Sequence, residues 1–182
     1  MLEVEVRARL ESFDSVKNIL HEKARFMGHS HQADRIFEHP KFLDSEHKII
    51  EGGVVARIRE EGEKRLLEFK QVVRGHGGAI EIKHDIAGGE RISEFLESLG
   101  FQEAFSIRKF RDSYLYRDFL VCLDTVEQLG NFIEVEKAVA SEQESGEARR
   151  QCLEILKDLA PGAETEYRKY GDMMQDLING KT

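Results

Sequence analysis

The first residues of the chain alternate between apolar and charged side chains. Even-numbered positions from Val4 to Leu10 are apolar, and odd-numbered positions from Glu3 to Arg9 are charged. A period of two residues is typical of a β-strand with one buried face, so the pattern predicts a strand over residues 3–10. After Asp14 the apolar residues recur at helical spacing, which predicts a helix over residues 14–27 with Asp14 as its N-cap.

The middle of the chain repeats the two-residue period several times. Turn-forming residues separate the segments, among them the stretch Arg74–Gly78. Helical spacing returns over residues 90–100, where Ile92, Phe95, Leu96 and Leu99 are expected to face inward. The further predicted strands are residues 29–38, 53–60, 64–73, 79–86, 104–117, 119–126 and 131–139.

The C-terminal part of the chain has helical patterns. Ser141 and Glu144 resemble a capping box ahead of a helix whose apolar stripe includes Cys152 and Leu156, and a short final helix is predicted from Tyr170. About eight strands and three or four helices result. Because short connections join many of the strands, an antiparallel sheet, or a barrel made from one, is favoured over a parallel α/β fold.

The non-apolar faces of these strands consist almost entirely of charged side chains of both signs. A solvated sheet face would explain any single strand, but such a face normally includes Thr, Ser and Gln, which favour strands more. Recurrence over several strands instead favours convergence of the faces on one cavity, and a closed barrel of about eight strands is wide enough for a ligand. The charged positions are Glu3, Glu5, Arg7, Arg9, Arg57, Arg59, Glu68, Lys70, Glu81, Lys83, Lys109, Arg111, Asp124, Glu134 and Glu136.

Charges of both signs in a cavity need a ligand, ions or mutual pairing, because their burial is costly. The bases suit a polyanion, since Arg and Lys neutralise and orient phosphate oxygens. The carboxylates beside them suit a hard divalent cation such as Mg²⁺ or Mn²⁺. A polyphosphate with a bound metal satisfies both sets of side chains at once.

Length and composition narrow the class of protein. The 182 residues, with a net charge of −8, predict a single domain over residues 1–182, with the helical segment of about 141–182 packed on the barrel. The apolar run Phe119–Leu123 is far shorter than the ~20 residues of a membrane span. Charges stand where a signal peptide has its apolar core, so a cytoplasmic protein without membrane contact is expected. Net acidity argues against nucleic-acid binding, and the sequence leaves a homodimer open.

Several motifs, in this order along the chain, resemble the CYTH superfamily, the triphosphate tunnel metalloenzymes. EVEVR is similar to the N-terminal ExExK signature, with Arg7 in place of the lysine, and QADRIFEHP is similar to the QxDxYFxxP strand, with Ile36 at the aromatic position. Both QADRIFEHP and LGNFIEVE look most like the branch of class IV adenylyl cyclases and their relatives. The other matching segments are ARIR (56–59), LEFK (67–70), IRKFR (107–111), LDTVEQLGNFIEVE (123–136) and YGDMM (170–174).

The resemblance implies an α+β fold in which an antiparallel eight-stranded β-barrel forms a tunnel for a triphosphate with Mg²⁺ or Mn²⁺. It implies that the metal-binding carboxylates are those of Glu3, Glu5, Glu134 and Glu136. It implies catalytic roles for Arg57, Lys70, Lys109, Arg111 and Asp124. It implies substrate-binding roles for Arg7, Arg59 and Lys83.

The resemblance also points to a reaction. It implies cyclisation of ATP to 3′,5′-cyclic AMP, in which the 3′-hydroxyl attacks the α-phosphorus and pyrophosphate leaves. A triphosphatase for inorganic, nucleoside or thiamine triphosphate is the first alternative. A non-catalytic module that binds nucleotides or polyphosphate is the second, because a fold alone does not decide function.

Three further motifs are interpreted as structural. His29 and His31 share a strand face, but no third zinc ligand stands at a suitable spacing. The turn Arg74–Gly78 lacks the following helix and the Lys of a phosphate loop. Cys122 lies among apolar residues of a strand and is interpreted as part of the core rather than as a nucleophile.

Overall fold

The computed structural model describes residues 2–72, 79–86 and 91–180. Nine strands lie within these ranges: β1 (Leu2–Leu10), β2 (Arg25–Glu38), β3 (Val54–Glu61), β4 (Lys64–Val72), β5 (Ala79–Asp85), β6 (Gln102–Tyr116), β7 (Phe119–Val126), β8 (Gly130–Val139) and β9 (Thr165–Glu166). Four α-helices accompany them: α1 (Asp14–Lys23), α2 (Ile92–Ser98), α3 (Ser145–Leu159) and α4 (Tyr170–Ile178).

The strands form one sheet in the order β5-β4-β3-β2-β6-β7-β8-β1-β9. The registers of β1 with β8 and β9, of β3 with β2 and β4, of β4 with β5, and of β7 with β6 and β8 are antiparallel. The predicted antiparallel fold with flanking helices is therefore confirmed. The ninth strand is β9, which has two residues, and β5 and β9 end the order, so the sheet does not close within the described residues.

The junction of α1 and β2 differs most from the prediction. The helix ends at Lys23, and Ala24 already has an extended backbone with φ −124° and ψ 155°. The strand then begins at Arg25, and the ring of Phe26 packs on Tyr114 of β6 with 5.2 Å between centroids. The local spacing fits a helix, but pairing with a distant strand overrides local propensity. The other predicted strands agree with the structure within two residues at each end.

The start of α3 corrects a second prediction. Ser141 Oγ donates to the Glu144 carboxylate at 2.8 Å, so the two side chains bond each other and do not cap backbone N–H groups. A short 3₁₀ turn over Glu142–Glu144 precedes the helix, and Ser145 Oγ donates to the Glu142 carbonyl at 2.6 Å. The predicted capping box is wrong, although the stripe of the helix is as expected. Within the described ranges, no helix has both the length and the hydropathy that a membrane crossing requires.

The chain divides into two compact units. The first unit comprises Met1–His31 and Lys109–Tyr170, and the second unit comprises Gln32–Arg108 and Gly171–Thr182. The strands β2 and β6 contribute residues to both. The single domain expected from length stays a prediction.

In the first unit, the apolar faces of β1, β7 and β8 pack against α1 and α3. Cys152 and Leu156 of α3 are buried with Val6 of β1 and Ile133 of β8. Truncating a buried Leu to Ala typically lowers the free energy of unfolding by about 2–5 kcal/mol. The packing of these helices on the apolar face therefore stabilises the arrangement of the strands. Since successive side chains of a strand alternate between its faces, the charged residues of these strands share the opposite face.

In the second unit, α2 packs on β2, β3 and β4 through a narrow stripe. Leu96 is fully buried beside Phe37 and Ile58. Phe95 and Leu99, which were expected to face inward, are each 52 % exposed. A helix of seven residues offers one short stripe to a sheet, and Leu96 occupies it.

Candidate functional site

Antiparallel pairing of β1 with β8 places acids and a base side by side in the first unit. Arg7 lies opposite Glu134, and Glu5 lies opposite Glu136. The Arg7 Nε atom is 3.0 Å from Glu134 Oε1, and the same guanidinium also donates to the Glu5 carboxylate. Directly opposite side chains lie close enough to interact, so the pattern of alternating charges in each strand becomes a cluster in the sheet.

Glu5, Glu134 and Glu136 form a carboxylate group in which one oxygen of each residue lies within 4.8 Å of the others. Glu134 is 2 % exposed, whereas the Glu5 side chain is 37 % exposed, so the group is buried at one side and open at the other. Three hard oxygen donors at this spacing fit Mg²⁺ or Mn²⁺, which take carboxylates together with water and phosphate oxygens. Glu3 is exposed, lies opposite Ala138 and is not a member of the group.

The carboxylate group is electrostatically crowded. Burial raises the pKa of Glu136 to about 7, and Glu134, Glu5 and Glu3 add to this rise, whereas Arg111 opposes it. Several carboxylates in a small volume disfavour the ionised form unless a cation compensates them. A divalent cation is therefore a chemically suitable partner for this group.

Asp124 of β7 orients two bases of β6. Arg111 lies opposite Asp124 in the register and binds both of its oxygens, with Nε 2.7 Å from Oδ1 and Nη2 2.6 Å from Oδ2. The Lys109 Nζ atom is 3.0 Å from Oδ2. Asp124 has no exposed surface, and although burial opposes ionisation, the bonds from Arg111 and Lys109 lower its pKa overall.

Arg111 also connects Asp124 with the carboxylate group. Its Nη1 atom is 3.3 Å from Glu136 Oε1, and its Nη2 atom donates to Glu134. Burial by itself would lower the pKa values of Arg7 and Arg111, but the neighbouring carboxylates outweigh it and raise both. The two guanidinium groups stay charged and lie directly beside the oxygens that suit a metal.

The second unit contains its own buried cluster of ion pairs. Arg59 lies opposite Asp34 and binds both of its oxygens at 2.7 Å. The Arg57 Nη1 atom is 3.3 Å from Asp34 Oδ2, and its Nε atom donates to Glu68. Asp34 and Glu68 are 4 % and 1 % exposed, so both arginines are held by acids that have little contact with solvent. Lys83 of β5 lies opposite Glu68 and is exposed.

The structure thus brings the predicted site residues together in two sets. The first unit holds Glu3, Glu5, Arg7, Lys109, Arg111, Asp124, Glu134 and Glu136, and the second unit holds Arg57, Arg59, Lys70 and Lys83. Ion pairs join seven residues of the first set directly. The expectation that both sets face one cavity stays a prediction, as do the roles implied for the individual residues.

Three residues of these clusters were absent from the predicted site. Asp34 stands inside the QADRIFEHP motif, and Glu68 stands on a charged strand face, but only the registers of β3 show that they hold Arg57 and Arg59. The third is Tyr170, which follows Asp124 by 46 residues in the sequence. Its hydroxyl donates to Asp124 at 3.0 Å.

Two of the motifs that were interpreted as structural, the pair His29 and His31 and the residue Cys122, lie within the described residues. His31 stacks on Phe110 with 4.4 Å between ring centroids, and neither His31 nor His29 belongs to a metal-suited cluster of the described residues. Cys122 is fully buried, and burial raises its pKa to about 12, which excludes a reactive thiolate at neutral pH. It lies opposite Glu134, so it faces the charged cluster rather than the apolar core that was expected. The turn Arg74–Gly78 lies outside the described residues.

Comparison with known proteins gives concordant results. A family model, the CYTH domain, matches residues 1–170. A protein of Methanocaldococcus jannaschii, named as a candidate adenylate cyclase, is 28 % identical over 171 residues, which are 93 % of this chain and 95 % of that protein.

Solved structures show the same fold. A protein of Pyrococcus horikoshii is 27 % identical with a TM-score of 0.80, covering 96 % of this chain and 99 % of that one. A protein of Hippeastrum is 16 % identical with a TM-score of 0.67, covering 100 % of this chain and 96 % of that one, and this likeness shows the fold alone. Because the family match extends from the ExExK-like strand to Tyr170, and so includes every residue of both charged clusters, the chain belongs to the CYTH family.

Proposed function

We propose that the protein is a metal-dependent enzyme that converts ATP to 3′,5′-cyclic AMP and pyrophosphate. The observation that carries the proposal is the carboxylate group of Glu5, Glu134 and Glu136 in direct ion contact with the buried Arg7 and the partly buried Arg111. A metal–triphosphate presents positive charge to the acids and negative charge to the bases, so one ligand complements both. The relative from Methanocaldococcus jannaschii, named as a candidate adenylate cyclase, supports this reaction.

The proposed metal ligands are Glu5, Glu134 and Glu136. When bound there, Mg²⁺ or Mn²⁺ would polarise phosphoryl oxygens and neutralise negative charge on the leaving group. Glu134 is the best-anchored of the three, because its two oxygens are bonded by Arg7 and by Arg111. Glu5 is more exposed and accepts from Arg7. Glu3, which the family resemblance places among the ligands, lies two residues before Glu5 on β1, opposite Ala138 and outside the group of three.

The proposed phosphate-binding side chains of the first unit are Arg7, Lys109 and Arg111. Arg111 is fixed by its two bonds to Asp124, so its remaining N–H groups point in a set direction. In the reaction, the 3′-hydroxyl oxygen forms a bond to the α-phosphorus and releases its proton to solvent water. The bond from that phosphorus to the oxygen bridging to the β-phosphorus breaks, and pyrophosphate departs with the electron pair. Fixed cations near the leaving oxygens stabilise the charge that develops there.

The second unit contains further bases, for which we propose contacts with the phosphates. Arg57 and Arg59 are oriented by Asp34 and Glu68 in the same manner in which Arg111 is oriented by Asp124. The family resemblance assigns phosphate contacts to Arg57, Arg59, Lys70 and Lys83. We propose that at least Arg57 and Lys70 contribute to turnover of the triphosphate.

Hydrolysis is the second candidate. The Hippeastrum protein is described as a candidate adenylyl cyclase with a dominant triphosphatase activity, which supports hydrolysis as the alternative for a chain of this fold. In a triphosphatase, water attacks the γ-phosphorus and orthophosphate leaves. The same carboxylates and bases would serve either reaction, because both require a metal-bound triphosphate.

The products distinguish the candidates. The protein is incubated with Mn²⁺ or Mg²⁺ and, separately, with ATP, GTP, inorganic triphosphate and thiamine triphosphate, and the products are separated by ion-exchange chromatography. Cyclic AMP with an equal amount of pyrophosphate supports the cyclase. Orthophosphate without cyclic nucleotide supports the triphosphatase, and metal-dependent binding without turnover supports a non-catalytic module. The variant Glu134→Gln, prepared in parallel, reports any contaminating activity.

A further inference from the structure

Tyr170 lies at the centre of the charged cluster although it comes from the far end of the first unit. It follows β9 and begins α4, and it is 8 % exposed. Its ring lies under two cations, with the Arg7 guanidinium carbon 4.6 Å and the Lys109 Nζ atom 5.2 Å from the ring centroid. Phe132 closes the edge of the ring at 5.1 Å and an interplanar angle of 68°. The ring therefore contacts two of the proposed phosphate-binding bases.

The hydroxyl of Tyr170 has one specific partner. It donates to Asp124 Oδ2 at 3.0 Å, and the same oxygen accepts from Lys109 Nζ at 3.0 Å and from Arg111 Nη2 at 2.6 Å. Asp124 has no exposed surface, so these donors replace the water that an ionised carboxylate would otherwise require. A phenylalanine would fill the same space but would leave this oxygen with one donor fewer.

The segment before Tyr170 is fixed as well. Glu166 of β9 lies opposite Arg7, and the Arg168 carbonyl accepts from Arg7 Nη1 at 2.9 Å. Arg7 and Asp124 therefore both bind the segment that carries Tyr170. The segment fixes the place of the hydroxyl, and the hydroxyl joins Lys109 and Arg111 in holding the Asp124 carboxylate.

We infer that Tyr170 is a positioning residue, which holds Asp124 and through it Lys109 and Arg111 in the arrangement that receives the phosphates. The inference rests on the proposed function, because it concerns the same bases. It adds a residue that contacts Asp124 and two of the proposed bases and that is not itself a proposed metal ligand. The charge-assisted bond from the hydroxyl to the carboxylate is what distinguishes this role from filling of the core.

The test compares Tyr170→Phe with Tyr167→Phe. Tyr167 lies three residues earlier and is 75 % exposed, so it controls for loss of a tyrosine hydroxyl in the same segment. The dissociation constants of Mn²⁺ alone and of inorganic tripolyphosphate with Mg²⁺ are measured by calorimetry, together with kcat and KM for ATP. Urea unfolding establishes that each variant is folded. Tyr170→Phe is expected to weaken tripolyphosphate binding at least fivefold and to leave the Mn²⁺ dissociation constant within twofold. Tyr167→Phe is expected to change neither.

A second comparison separates positioning from general loss of structure. Lys109→Met removes one of the two bases that Tyr170 holds through Asp124, so adding Tyr170→Phe to it should weaken tripolyphosphate binding by a smaller factor than Tyr170→Phe does alone. Multiplication of the two single effects, or an equal loss of Mn²⁺ affinity, would overturn the inference. So would binding and turnover by Tyr170→Phe within twofold of the wild type. If the wild type itself does not bind tripolyphosphate with metal, the proposed function fails, and the inference fails with it for that separate reason.

Discussion

Arg111 binds both oxygens of Asp124, with Nε–Oδ1 and Nη2–Oδ2 distances of 2.7 and 2.6 Å, while the same guanidinium contacts Glu134 and Glu136. One side chain therefore links the buried carboxylate of β7 with the carboxylates that suit a metal. A planar fork of N–H donors can make these bonds simultaneously, whereas an ammonium group is a point charge. The contacts of Arg111 therefore require the planar shape of its guanidinium group as well as its positive charge.

The variant Arg111→Lys should lower kcat/KM for the triphosphate substrate by more than tenfold, although it preserves the charge. The reason is that lysine cannot bind both Asp124 oxygens and still reach Glu134. Steady-state kinetics with the matched variant Arg150→Lys, whose side chain is 59 % exposed on α3, provide the check. Equal activity of Arg111→Lys and the wild type would show that charge alone suffices.

The variants Glu134→Gln and Glu5→Gln should each weaken Mn²⁺ binding by at least tenfold, which corresponds to about 1.4 kcal/mol. Each replaces an anionic oxygen ligand by a neutral amide while keeping the size of the side chain. Calorimetric titration with Mn²⁺ measures the effect, and Glu154→Gln, with a side chain 59 % exposed on α3, is the control. Wild-type affinity in both variants would remove these residues from the metal site. Unfolding in urea must be measured separately, because loss of one acid from a buried ion cluster also alters stability.

The thermal stabilisation produced by a fixed concentration of Mn²⁺ should be larger at pH 8 than at pH 6. Burial raises the pKa of Glu136 to about 7 in the folded protein. Because the folded protein holds the Glu136 proton more tightly than the unfolded chain does, protonation of Glu136 stabilises the fold. This stabilisation is fully present below the ordinary carboxyl pKa and is lost as the pH rises through about 7. Above that pH the carboxylate is charged, and a cation can compensate it without displacing a proton.

Differential scanning calorimetry with and without Mn²⁺ at the two pH values measures this difference. In Glu136→Gln the position cannot titrate, so the dependence of the Mn²⁺-induced shift in Tm on pH should become smaller. An unchanged dependence in this variant would assign the effect to another group.

Alanine variants of Arg57 and Lys70 should divide into those that mainly raise KM and those that mainly lower kcat. A triphosphate has three phosphates, and bases that bind substrate and transition state equally set KM, whereas those near developing charge set kcat. Arg65→Ala on the opposite face of β4 is the control, since its partner is the exposed Glu60. Changes of less than twofold in kcat/KM, under about 0.5 kcal/mol, would remove Arg57 and Lys70 from the proposed phosphate-binding site.

The strands and their charged faces could be predicted because a two-residue period is a local property of the sequence. The alternation from Glu3 to Arg9 is enough to identify both the core face and the charged face of β1. The bond between Tyr170 and Asp124 could not be predicted, because it depends on how a segment 46 residues away along the chain returns to the sheet. Local sequence patterns contain no information about contacts between segments that lie so far apart in the chain.

The errors at α1 and α2 have a related cause. Residues 24–27 fit a helix by spacing, but they pair as a strand, and tertiary contacts decide between two local conformations of similar energy. Phe95 and Leu99 fit an inward face by spacing, but Leu96, with the partly buried Ile92, makes the contact of α2 with the sheet. Hydrophobic periodicity identifies a face of a helix, and the neighbouring elements determine how much of that face is covered.

The register of β1 against β8 makes the order of residues in this strand as important as their identity. Val6 faces the core between Glu5 and Arg7, which face the charged cluster. Insertion or deletion of a single residue within β1 would exchange the two faces beyond that point, placing carboxylates against α3 and valines beside the arginines. A library of β1 variants should therefore tolerate more substitutions at the exposed Glu3 and Arg9 than at its buried positions, but hardly any change in its length.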